Sequence, residues 1–252
     1  MKIVVIGGTG LIGQKLVQIL SKQNHEVLAA SPSTGVDTVT KKGLDRALEN
    51  ATIVVDVSNA PSLENQAVLE FFIASNKNLL AAEKKAGVHH HIALSVVGIQ
   101  NLGQSGYFRG KIAQEELIKS ANIPYTLIYS TQFFESIDQI LKTFTMGSRI
   151  IMPPSLVQPI AAMDVAGFMA DAILMSEVNS AFEIAGPQRF SMEQWAKRYQ
   201  EAQSLDRPLL TDSKTPFFGA QVGADTLLPS NGAKRGETTF GQWLDGTLNE
   251  HG

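Results

Sequence analysis

Tyr107 and Lys111 stand four residues apart in SGYFRGKIAQEEL, a spacing that brings both side chains to one face of a helix. A phenol with a pKa of about 10 is a weak acid and is scarce as phenolate at neutral pH, and a neighbouring ammonium lowers that value by favouring the charged form. Such a pair suits the delivery of a proton to the alkoxide that develops when a carbonyl accepts a hydride. The Lys keeps further donors for a ribose hydroxyl of the hydride carrier. With 4 Tyr in the chain the spacing also arises by chance, and two ordinary residues on one side of a helix are the alternative. Position adds weight: the pair follows HIALSV, a strand ending in Ser95, and precedes IPYTLIY, which places it at a sheet edge. Ser105 and Gly106 read as the start of the helix, so Tyr107 falls in its first turn.

A second chemical signal is GGTGLIG at 7 to 13, directly after an apolar run and opening a helix. In this setting Gly7 permits the tight turn, Gly10 lets backbone approach a pyrophosphate and Gly13 allows helix to pack on sheet, with phosphates resting on the helix N-terminus. Dinucleotide binding is the expectation, against a plain tight turn. Where an acid commonly grips the ribose of NAD, the second strand ends EVLAASPSTGVD and offers Ser31, Ser33 and Thr34. Neutral hydroxyls tolerate a 2'-phosphate that a carboxylate repels, so NADP(H) is favoured over NAD(H), with Lys41 or Lys42 as counter-charge. The alternative is that these are turn residues around Pro32 and Gly35.

The elements that must position these groups follow a regular rhythm. KIVVIG, GLIGQKLVQILSKQ, EVLAAS, ATIVVDVS, a long helix near 64 to 86, HIALSV, the Lys111 helix and IPYTLIY alternate strand with helix, as in a parallel sheet wound with crossover helices. Continuous Val and Ile runs suit strands covered on both faces. The expected class is α/β, a Rossmann-type doubly wound parallel sheet with a smaller C-terminal lobe. After about residue 150 prolines interrupt the alternation, and the division is placed at 1–152 for the nucleotide-binding domain and 153–252 for a region covering the substrate. The stretch from 204 to 239 is rich in Gly, Pro, Ser and Thr and is expected to hold little regular structure.

Composition removes several classes. The 252 residues carry 21 Lys and Arg against 24 Asp and Glu, a formal net charge of -3, with no basic stripe, so no direct nucleic-acid contact is expected. Without cysteine there are no disulfides, thiolate metal sites or thiol nucleophile. The apolar stretch at 160 to 175 carries Asp164 and Asp171 and reads as an amphipathic helix, so no membrane contact is expected. The opening strand leaves no room for a signal peptide, which makes the cytoplasm the expected location. His89, His90 and His91 enter a strand and point to alternate faces, so no metal site is read there. Trp195 and Trp243 read as packing, and neither Ser95 nor Ser130 lies in a nucleophile elbow.

GGTGLIG, IALSVVG, YFRGK and IPYTLIYSTQFF together resemble the short-chain dehydrogenase/reductase superfamily, specifically its atypical NmrA-like branch of NAD(P)H-binding proteins, over roughly residues 1 to 165. QPIAAMDVAGFM and FEIAGPQRFSMEQWA look like the corresponding C-terminal segments. The resemblance implies that Gly7, Thr9, Gly10, Leu11, Ile12 and Gly13 line the pyrophosphate. Asp37 with Thr38 meets the adenine, Val57 and Ser58 pass under the adenosine, and Phe133 flanks the nicotinamide. Ser95, Tyr107 and Lys111 match the Ser, Tyr and Lys constellation, Ser95 donating to the substrate oxygen. Solvated turn and core packing are the alternatives for Asp37 and Phe133.

Two functions follow as rivals. One is an NADP(H)-dependent oxidoreductase acting on a small carbonyl or quinone-like substrate. The other, admitted by the NmrA-like resemblance, is a non-enzymatic NADP(H) sensor that signals to a partner protein. Epimerase or dehydratase chemistry on a retained cofactor is a third possibility. Substrate and oligomeric state are not legible.

Overall fold

The computed structural model describes residues 1–62, 64–175 and 178–249, with side chains as far as residue 247. The chain runs β1 (Lys2–Ile6), α1 (Leu11–Lys22), β2 (Glu26–Ala30), α2 (Leu44–Leu48), β3 (Ile53–Asp56), α3 (Asn65–Ala86), β4 (His90–Val96), α4 (Gly106–Ser120) and β5 (Tyr125–Ser130). It continues with α5 (Ile137–Thr143), β6 (Thr145–Met146), β7 (Arg149–Met152), β8 (Leu156–Val157), α6 (Ala162–Ile173) and β9 (Ser180–Ala185). The last elements are β10 (Phe190–Ser191), α7 (Met192–Ala202), β11 (Leu209–Thr211), β12 (Lys234–Arg235) and α8 (Phe240–Asn249).

A seven-stranded sheet in the order β12-β9-β5-β4-β3-β1-β2 forms the centre, and every pairing in it is parallel. The pleat sends alternate residues to opposite faces, and each face finds a helical layer. Ile3, Val5, Ile53, Val55, Ile92, Ile128 and Ile184 meet Leu16 and Leu20 of α1 and Val165 and Met169 of α6. Val4, Ile6 and Val54 meet Leu44, Leu48 and Leu79 on the other side, where Ala93 and Leu127 also pack with Leu80 and Ile118. Burial on both faces explains why these strands are runs of Val and Ile with no polar alternation. The doubly wound α/β class expected from the sequence is thus the observed one.

Residues on both sides of position 152 build this sheet: β9 and β12 extend it and α6 covers it beside α1. What stands apart is smaller. A three-stranded sheet of β11, β7 and β6 and a β10-β8 pair surround a separate apolar cluster containing Phe134, Phe144, Phe190, Trp195, Phe217 and Phe240. α7 starts where FSMEQ supplies a capping box: the Gln194 N–H donates to Ser191 Oγ at 3.0 Å and the Ser191 N–H to Gln194 Oε1 at 3.1 Å. The stretch from 212 to 228 is mainly irregular but is tied down, with the Gln221 N–H on Gln104 Oε1 at 3.0 Å and the Ser155 hydroxyl on Gly223 O at 3.0 Å. Among the described residues no helix is long and apolar enough to cross a membrane.

Candidate functional site

The chain leaves β1 to one side for β2 and to the other for β3, so the crevice of the fold opens at the carboxyl ends of these strands. The glycine turn sits there. Gly7 has φ +79°, and a Cβ on it would lie 2.9 Å from the backbone of Ser58, while its N–H donates to Ala30 O at 2.9 Å. It therefore locks the ends of β1, β2 and β3 together. A Cβ on Gly13 would come within 2.2 Å of Gly7 O, so this contact holds α1 against the turn. Gly10 caps α1 without a side-chain acceptor, and no acid stands in its first turn. The first N–H groups of the helix consequently face the crevice with no carboxylate of their own, an arrangement that fits a phosphate. Thr9 and Leu11 are exposed beside it and Ile12 is in the core.

At the end of β2 the three candidate hydroxyls form one cluster. Thr34 Oγ1 takes the Ser31 N–H at 2.9 Å and donates to Ala29 O at 2.9 Å, and Ser31 Oγ lies 2.8 Å from Ser33 Oγ. Asp37 Oδ1 accepts the Val39 and Thr40 N–H groups at 2.8 and 3.2 Å. Burial works against its charge, but these N–H groups outweigh it and hold the carboxyl below its ordinary value. Thr38 is turned inward, its hydroxyl 2.7 Å from that of Ser75. Val57 packs with the α1–α6 core. Ser58 Oγ is shielded from water and has no partner among the described residues.

Lys111 projects from α4 to the carboxyl end of β4. Its Nζ donates to Leu94 O at 2.7 Å and to Gln114 Oε1, and lies 5.0 Å from the centre of the Phe72 ring. Gln114 Nε2 in turn donates to Asp56 Oδ2 at 2.7 Å, and Asp56 Oδ1 accepts the Ser58 N–H at 2.8 Å. Asp56, Gln114 and Lys111 are all buried. An ammonium has three donors, so one N–H of Lys111 has no partner among the described residues. Burial pulls its pKa down to about 8, with Asp56 and then Glu115 opposing the fall.

Ser95 and Tyr107 are placed differently from Lys111. The pleat turns Ser95 toward α4, where its hydroxyl donates to Glu115 Oε1 at 2.6 Å. Its neighbour in register on β5, Tyr129, donates to Glu115 Oε2 at 2.8 Å, and Lys119 stands 3.2 Å from the same oxygen. Tyr107 does lie in the first turn of α4, with its ring edge-on to Phe72 at 6.2 Å and to Phe108 at 5.2 Å. Burial pushes its phenol up to about 12, and the Lys111 ammonium does not offset that rise. The two residues therefore share a helix face without sharing charge.

Phe133 packs at the margin of the α1–α6 core. Beside it, Gln132 has both amide atoms shielded from water with no partner among the described residues. The histidines are engaged internally: His90 Nε2 lies 3.0 Å from Thr126 Oγ1, and His91 Nδ1 lies 2.9 Å from Glu83 Oε1. Burial opposes a charged His91, but Glu83 and the more distant Asp56 override it and raise the ring's pKa, while burial raises that of Glu83. Trp195 is fully buried, and Trp243 stacks on Phe240 with centroids 5.6 Å apart.

A model of the NmrA-like family matches residues 1–196. The chain belongs to this family. The photosystem II assembly factor Ycf39 of Synechocystis sp. is 23% identical to the NmrA-like chain over 195 residues, covering 71% of this chain and 60% of Ycf39. The chloroplastic divinyl chlorophyllide a 8-vinyl-reductase of Arabidopsis thaliana is 24% identical over 226 residues, covering 74% and 54%. The chain thus spans less than two thirds of the length of either relative. Among solved structures, MoeE5 in complex with UDP-glucose and NAD matches with a TM-score of 0.76 at 15% identity over 100% of both chains, a likeness of fold.

Four residues of this NmrA-like crevice escape a reading of motifs: Asp56, Gln114, Glu115 and Gln132. Three had a local signal. Gln114 and Glu115 follow Lys111 by three and four residues, the spacing at which helical side chains meet. Asp56 closes the otherwise apolar strand IVVD, and a carboxylate there requires a partner. Gln132 carries no comparable sequence signal.

Proposed function

We propose that the protein binds NADP(H) across the crevice and reduces a small quinone-like or carbonyl substrate beside α4. The observation that carries this reading is Lys111: a buried ammonium held at the carboxyl end of β4 by Leu94 O and Gln114, with one N–H left over among the described residues. A buried cation costs stability unless paired, and a residual donor at this edge suits a ribose hydroxyl. The Gly7–Gly13 turn and the uncapped α1 N-terminus take the pyrophosphate. Ser31 and Ser33, with exposed Lys41 and Lys42 nearby, leave room for a 2'-phosphate and oppose it with no carboxylate at the end of β2. MoeE5 is described with NAD, which supports a nicotinamide nucleotide in this fold without choosing between the two.

A bound nicotinamide supplies the hydride. The chain's own residues must then place the acceptor and manage the proton. Tyr107, neutral with a phenol near 12, donates a hydrogen bond to the acceptor oxygen and does not act as a phenolate base. This favours a quinone over an aliphatic aldehyde, because the anion formed on a quinone is delocalised over the ring and takes its proton from solvent without a strong acid. Phe72 and Phe108 lie edge-on to the Tyr107 ring and Phe217 stacks on Phe108, so the phenol sits in apolar surroundings that keep it protonated.

The second reading, a sensor without turnover, is favoured by the same phenol, which burial raises to about 12 with no lowering by the Lys111 ammonium and which is therefore a poor proton donor. The purified protein with NADPH and a panel of quinones and aldehydes separates the two. Cofactor oxidation that falls in Lys111→Ala and, less steeply, in Tyr107→Phe supports the enzyme. Tight NADPH binding with no oxidation by any acceptor supports the sensor, and turnover surviving both substitutions removes the proposed mechanism.

A further inference from the structure

Five side chains hold a buried polar atom with no partner among the described residues: Ser58, Asn76, His91 and Trp195 carry one each, and Gln132 alone has both its donor and its acceptor idle. Asn76 lies along α3, His91 near the start of β4 and Trp195 in the C-terminal cluster, all away from the crevice edge. Ser58 and Gln132 are different. They follow the carboxyl ends of β3 and β5, the strands on either side of β4, on the edge where open parallel sheets take their ligands.

The chain around Gln132 is otherwise satisfied. Thr131 sends its hydroxyl to Gln158 O at 2.7 Å, the Gln132 carbonyl accepts the Ile160 N–H at 2.9 Å, and Phe133 packs against the α1–α6 core. An amide kept from water with both ends unpaired is costly unless a ligand completes it. The required ligand group is defined by the amide itself: it must present an acceptor and a donor side by side in one plane, as a primary carboxamide does.

We infer that the Gln132 side chain pairs with the carboxamide of a nicotinamide ring, its Nε2 donating to the ring's carboxamide oxygen and its Oε1 accepting from the carboxamide NH2. The inference rests on the dinucleotide reading above and adds to it what selects the nicotinamide half.

The test is calorimetric titration of the full chain and of Gln132→Leu with NADPH, with the corresponding 2'-phospho-ADP-ribose, which lacks the ring, and with the 3-acetylpyridine analogue of NADPH, in which a methyl replaces the amide nitrogen. The expected result is a loss of about tenfold in NADPH affinity in Gln132→Leu, from two neutral hydrogen bonds, with the ring-free ligand unchanged. The analogue binds the unaltered protein several-fold more weakly than NADPH, a measurement that needs no variant. Equal losses for NADPH and the ring-free ligand, or an analogue as tight as NADPH, overturn the assignment. Failure of the unaltered protein to bind any of the three overturns the dinucleotide reading itself.

Discussion

Lys111 and Tyr107 stand one turn apart on α4 and occupy opposite surroundings. Lys111 ends in a chain of polar groups, through Gln114 and Asp56 to the backbone of Ser58. Tyr107 ends among aromatic rings, and its hydroxyl makes no hydrogen bond among the described residues. Burial acts on both and moves them in opposite directions, because the charged form of a Lys is protonated and that of a Tyr is not. The difference teaches that a motif spacing fixes which side of a helix two residues share, while the groups packed against that side decide whether they act together.

The largest test of the contrast is the pH dependence of stability. Lys111 titrates near 8 when folded and near 10.4 when unfolded. Between these values the unfolded chain holds the extra proton, so Lys111 makes stability rise with pH across the window and withholds that stability below it, by on the order of 3 kcal/mol. Tyr107 has the opposite slope: its phenol stays protonated to about 12 when folded but ionises near 10 when unfolded, so stability falls as pH rises above about 10. Urea unfolding from pH 7 to 11 should show the first rise vanish in Lys111→Met and the later fall weaken in Tyr107→Phe. Parallel curves for both variants and the parent would break the comparison.

Next in size is affinity. On the binding mode proposed above, removing a charged donor from a ribose hydroxyl costs roughly 2 kcal/mol, so Lys111→Met should bind NADPH about thirtyfold more weakly in a fluorescence titration. A smaller effect is expected at Asp56. Asp56 supports the charge on Lys111, and Asn at this position sets an NH2 group against the Gln114 NH2 or forces that amide to reverse. NADPH affinity, which should decline as pH rises through about 8 when Lys111 loses its proton, should begin its decline about one unit lower in Asp56→Asn. The smallest effect belongs to Tyr107→Phe at pH 7, where stability should shift by less than about 0.5 kcal/mol because no hydrogen bond is lost. A loss of 2 kcal/mol there would reveal a partner for the hydroxyl.

The fold was legible because its signals are local. Alternating runs of Val and Ile, a glycine turn directly after the first of them and helix patterns between them need no tertiary knowledge. The assembly of β9, β12 and α6 into the central sheet was not, since prolines at 153, 154 and 159 break the rhythm that signals a continuing winding. Within the site, Gly7 and Lys111 follow from motif and position. The direction of Ser95 depends on the pleat and on Glu115 opposite it, and the direction of Thr38 depends on Ser75 of α3. Both contacts join residues distant in sequence, which spacing cannot reveal.

The carboxylate of Asp56 touches the Ser58 N–H with one oxygen and the Gln114 amide with the other. A backbone amide in such a bond changes its nitrogen and proton resonance frequencies when the field at its acceptor changes. The Ser58 signal in a 15N-labelled sample is therefore a built-in spectroscopic reporter of the Lys111 proton, readable in the intact protein without a probe, and it should follow a titration curve centred near pH 8.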